Sequence, residues 1–298
     1  MRPWMKAAAG VAGGLVAGGV VAAAVGTSVW ERATARTVSR LNAGPNTRSR
    51  APGATTREPA GAGPRVFEPA MIAALPAPVI RYFEFALVPG QRLARAARIE
   101  QEGTFAMKRD AWVPFTAVEH VRTSPPGFVW DARIRVAPLL PALVRDSYVS
   151  GEGAMLAKVA GVVPLVNQQG TASMASGALM RYLAEAVWLP SALLPVNGVQ
   201  WSEIDDSTAR ATLADGATRV WLDFHFAPDG RVTGTSGERL RDDSGHSTLL
   251  PWVGTHDEYQ RVEGMMIPRR GEVGWIMPDA PFPYWRGRQV GIAYEWEE

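Results

Sequence analysis

The four histidines are the first residues of this chain to consider for chemistry, because imidazole binds metals and transfers protons near neutral pH. They are His120, His225, His246 and His256. No two of them have a metal-binding spacing, and no HExxH or similar signature occurs. The triplet His256–Glu258 could form a metal or acid–base cluster, although isolated polar triplets in strands are usually solvated. The sequence therefore predicts no metal site.

Other motifs of known enzyme classes are also missing from the sequence. Cysteine is absent, which excludes disulfides, thiolate zinc sites and cysteine nucleophiles. Gly234–Gly237 lacks the spacing of a GxSxG nucleophile elbow, and Gly151–Gly153 lacks the third glycine of a phosphate-binding loop. Adjacent acids stand beside turn residues, where carboxylates are usually solvated. We therefore predict no cofactor, and any catalytic residues stay unknown.

Aromatic and arginine side chains are a more informative set, because several large rings stand beside prolines in predicted loops. Such rings can fill a core, or they can line a groove for an apolar ligand with arginines at its polar rim. Arg181 and Glu185 lie one helical turn apart, which is also typical of an ordinary exposed ion pair. The candidate ligand-binding residues are Arg181, Glu185, Trp188, Trp201, Tyr259, Trp275, Trp285 and Arg286.

One long helix is predicted to position this set, over Met174–Pro195. Its apolar residues recur at helical spacing, and Pro190 and Pro195 end the pattern. A second, short helix is predicted over Pro78–Leu87, with proline in its first turn.

The rest of the folded region has the alternation of β-strands. Apolar residues at every second position from Phe128 to Val136 predict one buried face, opposite Asp131, Arg133 and Arg135. The run Ser147–Val163 predicts one strand with a bulge or bend at its glycines. About ten such strands are predicted, and an open sheet of that size should curl. The predicted fold is α+β: a large curved antiparallel sheet, or half-barrel, covered by the central helix and the short N-terminal helix.

The N-terminal region predicts a membrane or export segment. Ala7–Val29 contains no charged residue, and its 23 residues would give roughly 34 Å of helix, against a bilayer core of about 30 Å. The length favours an uncleaved anchor, whereas the charged start and small residues near Ala22 also fit a cleaved signal peptide. Either one predicts a membrane-anchored or exported protein with its globular domain outside the cytoplasm.

Charge is divided unevenly along the chain. Residues 1–65 hold nine basic and two acidic residues, whereas residues 66–298 hold 22 basic and 27 acidic ones, so the net charges are +7 and −5. A nucleic-acid partner is therefore not expected, because the folded region lacks a basic excess. We predict three segments: an anchor or signal sequence at 1–30, a flexible basic linker rich in Gly, Pro and Ala at 31–65, and a β-rich domain at 66–298.

An ordered set of motifs resembles a family of uncharacterised bacterial proteins. The motifs are Leu75–Val79 with Arg81 and Tyr82, Arg181–Pro190, Trp201, Pro251–Trp252, Gly254, Tyr259, Pro268, Val273–Trp275 and Pro283–Arg286. The resemblance spans about residues 68–298 and implies no established activity. The order of strands and helix is also loosely similar to the half-barrel carriers of the LolA/LolB and LppX type. That similarity implies a carrier that holds acyl chains between sheet and helices.

These observations lead to one functional expectation and two alternatives. We expect a non-enzymatic, envelope-associated protein that binds a lipid or another apolar small molecule between its curved sheet and the central helix. The first alternative is a hydrolase-like envelope enzyme that uses Arg181, Glu185, His256 or Asp257. The second is a scaffold domain whose core is filled.

Overall fold

The computed structural model describes residues 3–43, 65–137, 140–243 and 246–298. Three α-helices lie in these ranges, α1 Pro3–Ala43, α2 Ala77–Ala86 and α3 Ala172–Glu185. The same ranges contain thirteen strands: β1 Ala94–Lys108, β2 Ala111–Arg122, β3 Gly127–Ala137, β4 Leu140–Val149, β5 Glu152–Val159, β6 Val163–Gln169, β7 Gln200–Asp205, β8 Thr208–Asp215, β9 Thr218–Phe226, β10 Val232–Asp243, β11 His246–Val262, β12 Met265–Ile276 and β13 Pro281–Trp296.

All thirteen strands belong to one antiparallel sheet of order β6-β5-β4-β3-β2-β1-β13-β12-β11-β10-β9-β8-β7. The sheet consists of two meanders, β1–β6 and β7–β13, which join where β1 pairs with β13. The chain passes from one edge, β6, to the other, β7, through α3 and three short 3-10 turns. Because α3 packs against β5 near one edge and β9 near the other, the sheet curves around this helix.

The predicted curved antiparallel sheet is confirmed, but it has more strands than the expected ten and the fold is mostly β. One reason lies in the run Ser147–Val163, which we predicted as a single bent strand. Gly151 and Gly161 have φ angles of +82° and +73°, values that glycine adopts without steric cost. They form tight turns, so the run contributes to three strands (β4, β5 and β6) instead of one.

The central helix is shorter than its apolar pattern indicates. Its N-terminus is capped by Thr171, whose hydroxyl accepts a hydrogen bond from the Met174 amide at 3.1 Å. The helix ends at Glu185, and Pro190 and Pro195 begin two of the 3-10 turns that follow. The short helix predicted at Pro78–Leu87 is found at Ala77–Ala86.

The concave face of the sheet and α3 enclose the main core. Its fully buried side chains include Leu179, Leu183 and Trp188, which are 0–2% exposed, and Phe128 and Phe224 on opposite halves of the sheet. The space beneath the C-terminal half of α3 is therefore filled with protein side chains.

Helix α1 packs on the outer face of β2, β3 and β4. The indole of Trp30, which is 4% exposed, donates a hydrogen bond to Asp131 at 2.7 Å, and the Arg145 guanidinium lies 4.7 Å from the centre of that ring. Leu41 packs against Val129 and Val149. These contacts attach the C-terminal part of α1 to the β-rich domain.

One prediction for the N-terminal region needs correction. Residues 31–43, which we predicted as flexible linker, continue α1, since this stretch contains no proline or glycine to end a helix. Residues 44–64 of the predicted linker lie outside the described residues. Among the residues that the structure describes, no helix is both long and apolar enough to cross a membrane.

Candidate functional site

A row of polar side chains crosses the concave face where the strand pattern predicts apolar ones. Glu119 stands between Ala117 and Val121 on the buried face of β2, and it is only 1% exposed. The strand register places Glu119 opposite Trp130, and Trp130 opposite Asp146. Three neighbouring strands thus present a carboxyl group, an indole and a second carboxyl group side by side.

Hydrogen bonds from β1 join this row to Gln101. The Gln101 amide nitrogen donates to Glu119 at 3.0 Å, and its amide oxygen accepts from the Trp130 indole N–H at 2.7 Å. Gln101 is 2% exposed, so both of its polar atoms find partners inside the protein.

Helix α3 supplies the cation for this row. Arg181 donates to Asp146 at 2.7 Å and to Glu185 at 3.0 Å, and all three side chains are less than 15% exposed. Its guanidinium also lies 4.8 Å from the centre of the Trp130 ring. The ordinary exposed pair that we considered for Arg181 and Glu185 is therefore wrong, because the second partner, Asp146, is 35 residues away in sequence and holds the arginine inside.

The cluster contains three carboxyl groups and one guanidinium, so it has an excess of acid. Burial, and then the neighbouring Glu185, raise the pKa of Glu119 well above its usual value, and a hydrogen bond to Glu185 adds to this rise. The second carboxyl oxygen of Glu185, Oε2, is buried, and none of the described residues donates a hydrogen bond to it when Glu119 is ionised. A proton on Glu119 would supply the missing donor, and we therefore assign a proton to Glu119.

An open cleft of about 1080 Å³ lies at the N-terminal end of α3, between its first turns and both halves of the sheet. Its apolar lining comes from Phe105, Ala106, Met107, Met155, Met174, Ala178, Trp275, Met277, Phe282 and Tyr284. Its polar lining includes Lys108, Arg109, Asp146, Asn167, Gln168, Gln169, Thr171, Ser173, Arg239, Arg241 and Ser247. Asp146 connects the cleft to the buried cluster, since it lines the former and belongs to the latter.

Aromatic contacts make one wall of the cleft. The rings of Trp275 and Tyr284 stack with centres 6.4 Å apart, and the Tyr284 hydroxyl accepts from the Trp252 indole at 3.0 Å. The Arg239 guanidinium lies 4.9 Å from the centre of the Trp252 ring and 5.9 Å from that of Trp275. This wall offers flat apolar surface and positive charge in one place.

Of the eight residues predicted to bind a ligand, only Trp275 lines this cleft. Arg181 and Glu185 lie behind it, in contact with Asp146. Trp188 and Trp285 are core residues, 2% and 6% exposed, with ring centres 6.2 Å apart.

The other three predicted residues lie elsewhere. Trp201 packs edge-on against Phe224 and donates to the Leu193 carbonyl at 3.0 Å. The Tyr259 hydroxyl donates to the Val232 carbonyl at 2.8 Å. The predicted set is therefore split among the core, the buried cluster and the cleft, with Tyr259 and Arg286 outside all three.

Arg286 lies on the outer face of the sheet. It pairs with Glu272 at 2.5 Å and covers the Trp112 ring at 4.2 Å. It borders a separate groove of about 830 Å³ that Arg133 and Arg288 also line. Because neighbouring strand positions face opposite ways, Trp285 and Arg286 cannot serve the same site.

The histidines do not form a site with the acids predicted beside them. Both ring nitrogens of His256 are buried without a hydrogen-bond partner, and burial lowers the pKa of this histidine to about 4. Asp257, next in the strand, points to the opposite face and accepts from the Glu258 amide. Among the described residues, no group of three His, Asp or Glu side chains could hold a metal ion.

Sequence reasoning missed Gln101, Glu119 and Asp146, although a signal for them was present. Each stands at a position where the alternation of its strand requires an apolar residue, as Glu119 does between Ala117 and Val121. A polar residue in such a place is costly to bury unless it has a partner. Polar residues at expected apolar positions of three strands were therefore the sequence signal that could have identified this cluster.

Comparisons with known proteins give the chain a family. No curated protein matches it. A LolA superfamily protein from Nitrosomonas europaea is similar in structure, with 12% identity, coverage of 74% of this chain and 94% of that one, and a TM-score of 0.40. A beta-barrel-like protein of the domain of unknown function DUF1849 from Brucella abortus has 9% identity, coverage of 68% and 99%, and a TM-score of 0.22. The model of one family matches residues 65–287, most of the chain, so this protein belongs to the Family of unknown function (DUF6544).

Proposed function

We propose that this protein binds a lipid or another apolar small molecule in the open cleft at the N-terminal end of α3. The observation that carries the proposal is the cleft of about 1080 Å³, whose lining combines apolar and aromatic side chains with polar and charged ones. Small-molecule sites are typically concave, mostly apolar and about 300–1,000 Å³ in volume, with a few polar groups that orient the ligand.

The packing of the interior favours a ligand site at the N-terminal end of α3 over a site beneath the whole helix. Leu179, Leu183 and Trp188 fill the region beneath the C-terminal half of α3. Around the cleft, Met155 and Met174 provide flexible apolar side chains that adapt to ligands of different shape. A ligand bound here would touch the first turns of α3 and need not displace the core.

Binding of a neutral apolar probe tests the proposal directly. We expect the full chain to bind the fluorescent probe N-phenyl-1-naphthylamine saturably, at one site per chain. Ser173→Trp places a large ring at the cleft, where Ser173 is exposed, and should weaken binding at least about fivefold. Ser202→Trp makes the same change at an exposed position of β7 and should leave binding unchanged.

Native mass spectrometry of the full chain purified without detergent gives a second measurement. We expect a lipid-sized mass to remain bound to the wild-type chain and to be depleted from the Ser173→Trp variant. A chain that carries no ligand and shows no saturable probe binding would overturn the proposal.

The enzyme alternative has less support. It requires Arg181, Glu185, His256 and Asp257 in one cleft, but only Arg181 and Glu185 are joined, and neither ring nitrogen of His256 bonds to a group that the structure describes. We keep a membrane-anchored or exported location as a prediction. Fractionation of cells that express the full chain tests it, and recovery in the cytoplasmic fraction would contradict it.

A further inference from the structure

Arg239 is a partly buried cation on β10. Its guanidinium contacts the rings of Trp252 and Trp275, and no hydrogen bond or ion pair to it is found among the residues that the structure describes. A guanidinium has five N–H donors that prefer carboxylate or phosphate oxygens. Its donors therefore remain available to the contents of the cleft that this side chain lines.

The close approach of α3 holds this guanidinium in place. Gly177 faces it, and a Cβ atom at that position would lie 3.3 Å from the Nε and Nη2 atoms of Arg239. The side chain is thus enclosed by two indoles on the sheet and by the helix backbone. Such an arrangement preorganises the guanidinium and lowers the entropy lost when an anion binds it.

Another arginine near the cleft, Arg181, makes a useful comparison. Arg181 is neutralised by Asp146 and Glu185 at 2.7 and 3.0 Å. Asp146, the one carboxylate that the described side chains contribute to the lining, is therefore already paired. At the rim, Lys108 and Arg109 add positive charge, although Arg109 also pairs with Asp279 at 3.0 Å. The electrostatic field of the cleft consequently favours an anion.

We propose that the ligand of this cleft is an anionic amphiphile, whose carboxylate or phosphate group binds Arg239 while its apolar chain lies along Phe105, Met155 and Met174. This inference rests on the proposed function, because it assigns the charged part of the same ligand. An uncharged lipid would leave the guanidinium without an acceptor, which is unfavourable for a partly buried cation.

A pair of ligands with the same number of carbon atoms, one with an anionic and one with a neutral head group, tests the inference. Dodecanoate and dodecan-1-ol have the same chain, and their binding to the full chain can be followed at pH 8 by the change in tryptophan fluorescence, since Trp252 and Trp275 flank Arg239. We expect the wild type to bind dodecanoate at least roughly tenfold more tightly than the alcohol, as a charge-assisted hydrogen bond would provide. Acetate, which has the anionic group alone, should not bind measurably.

Substitutions then assign the preference to one side chain. Arg239→Gln should lose the preference for dodecanoate and keep the affinity for the alcohol, whereas Arg239→Lys should retain part of it. Arg219→Gln removes the same charge from an exposed position of β9 and should behave as the wild type. Thermal unfolding checks that each variant is folded.

The outcomes separate this inference from the proposed function. Equal affinity for the acid and the alcohol in the wild type, or an equal loss of both in Arg239→Gln, would overturn anion recognition by Arg239 and leave the apolar site standing. Failure of both ligands to bind would overturn the proposed function as well.

Discussion

The proton that we assign to Glu119 makes the stability of this protein depend on pH in a definite direction. Glu119 is 1% exposed, and burial raises its pKa well above the usual 4.5. Glu119→Gln imitates the protonated group, because the amide oxygen can accept from Gln101 and the amide nitrogen can donate to Glu185 Oε2. We therefore expect the variant to fold with the same contacts.

The sign follows from the linkage between proton binding and folding. Above pH 4.5 the unfolded chain releases the Glu119 proton while the folded protein keeps it. The wild type should then lose about 1.4 kcal/mol of unfolding free energy per pH unit from this group, until the pH reaches the folded pKa. Below pH 4.5 both states hold the proton and the contribution is constant. The glutamine variant lacks this loss, so its advantage should grow with pH and then level off at the folded pKa.

Urea unfolding followed by tryptophan fluorescence, at half-unit steps from pH 5 to pH 9, measures this difference. Glu203→Gln is the matched control, since Glu203 is exposed on β7 and the chemical change is identical. Parallel curves of stability against pH for the wild type and Glu119→Gln would refute the reasoning, because they would mean that Glu119 is ionised in the folded protein.

Two further substitutions test the packing around the site. Arg181→Met should lower the free energy of unfolding in urea by about 3–5 kcal/mol, because it leaves the buried Asp146 carboxylate unpaired. The control Arg210→Met, at a more exposed ion pair, should cost about 1 kcal/mol or less. Equal effects of the two substitutions would contradict the assignment of a buried network. Trp30→Phe removes the N–H that reaches Asp131 and should cost about 1–2 kcal/mol. It should also speed hydrogen exchange in α1 near residue 30, and unchanged exchange there would argue against a docked helix.

The fold was largely predictable because buried and exposed residues alternate along a strand, so the sequence of a strand shows which face is buried. From Phe128 to Ile134 the predicted inward residues are buried, and Asp131 on the other face contacts α1. Strand number was harder to predict, because the turns at Gly151 and Gly161 need only two residues with positive φ and resemble a bulge in sequence. Family membership was also predictable, since the motifs lie within the matched region, residues 65–287.

The candidate site was predicted only in part, because sequence spacing reports contacts within one helix and not between distant strands. Arg181 and Glu185 are one turn apart, and this pair is present in the structure. The partner that buries the pair, Asp146, comes from β4, and no local pattern indicates that α3 passes over it. Arg239 was not predicted to bind a ligand. Whether its guanidinium can bind a ligand anion depends on which acceptor groups the fold places near it.

The sequence by itself determined the buried face of strands such as β3, the approximate starts of α2 and α3, and the absence of known catalytic motifs. Those properties depend on periodicity, proline, glycine and residue type, all of which are local. The tertiary structure decided that Glu119, Asp146 and Arg181 share one buried cluster. It also decided that Arg239 lines a cleft where the described residues offer its guanidinium no acceptor. Those properties depend on strand register and on the crossing of α3 between the two sheet edges. These bring together residues 35 to 62 positions apart in the cluster and more than 100 positions apart in the cleft.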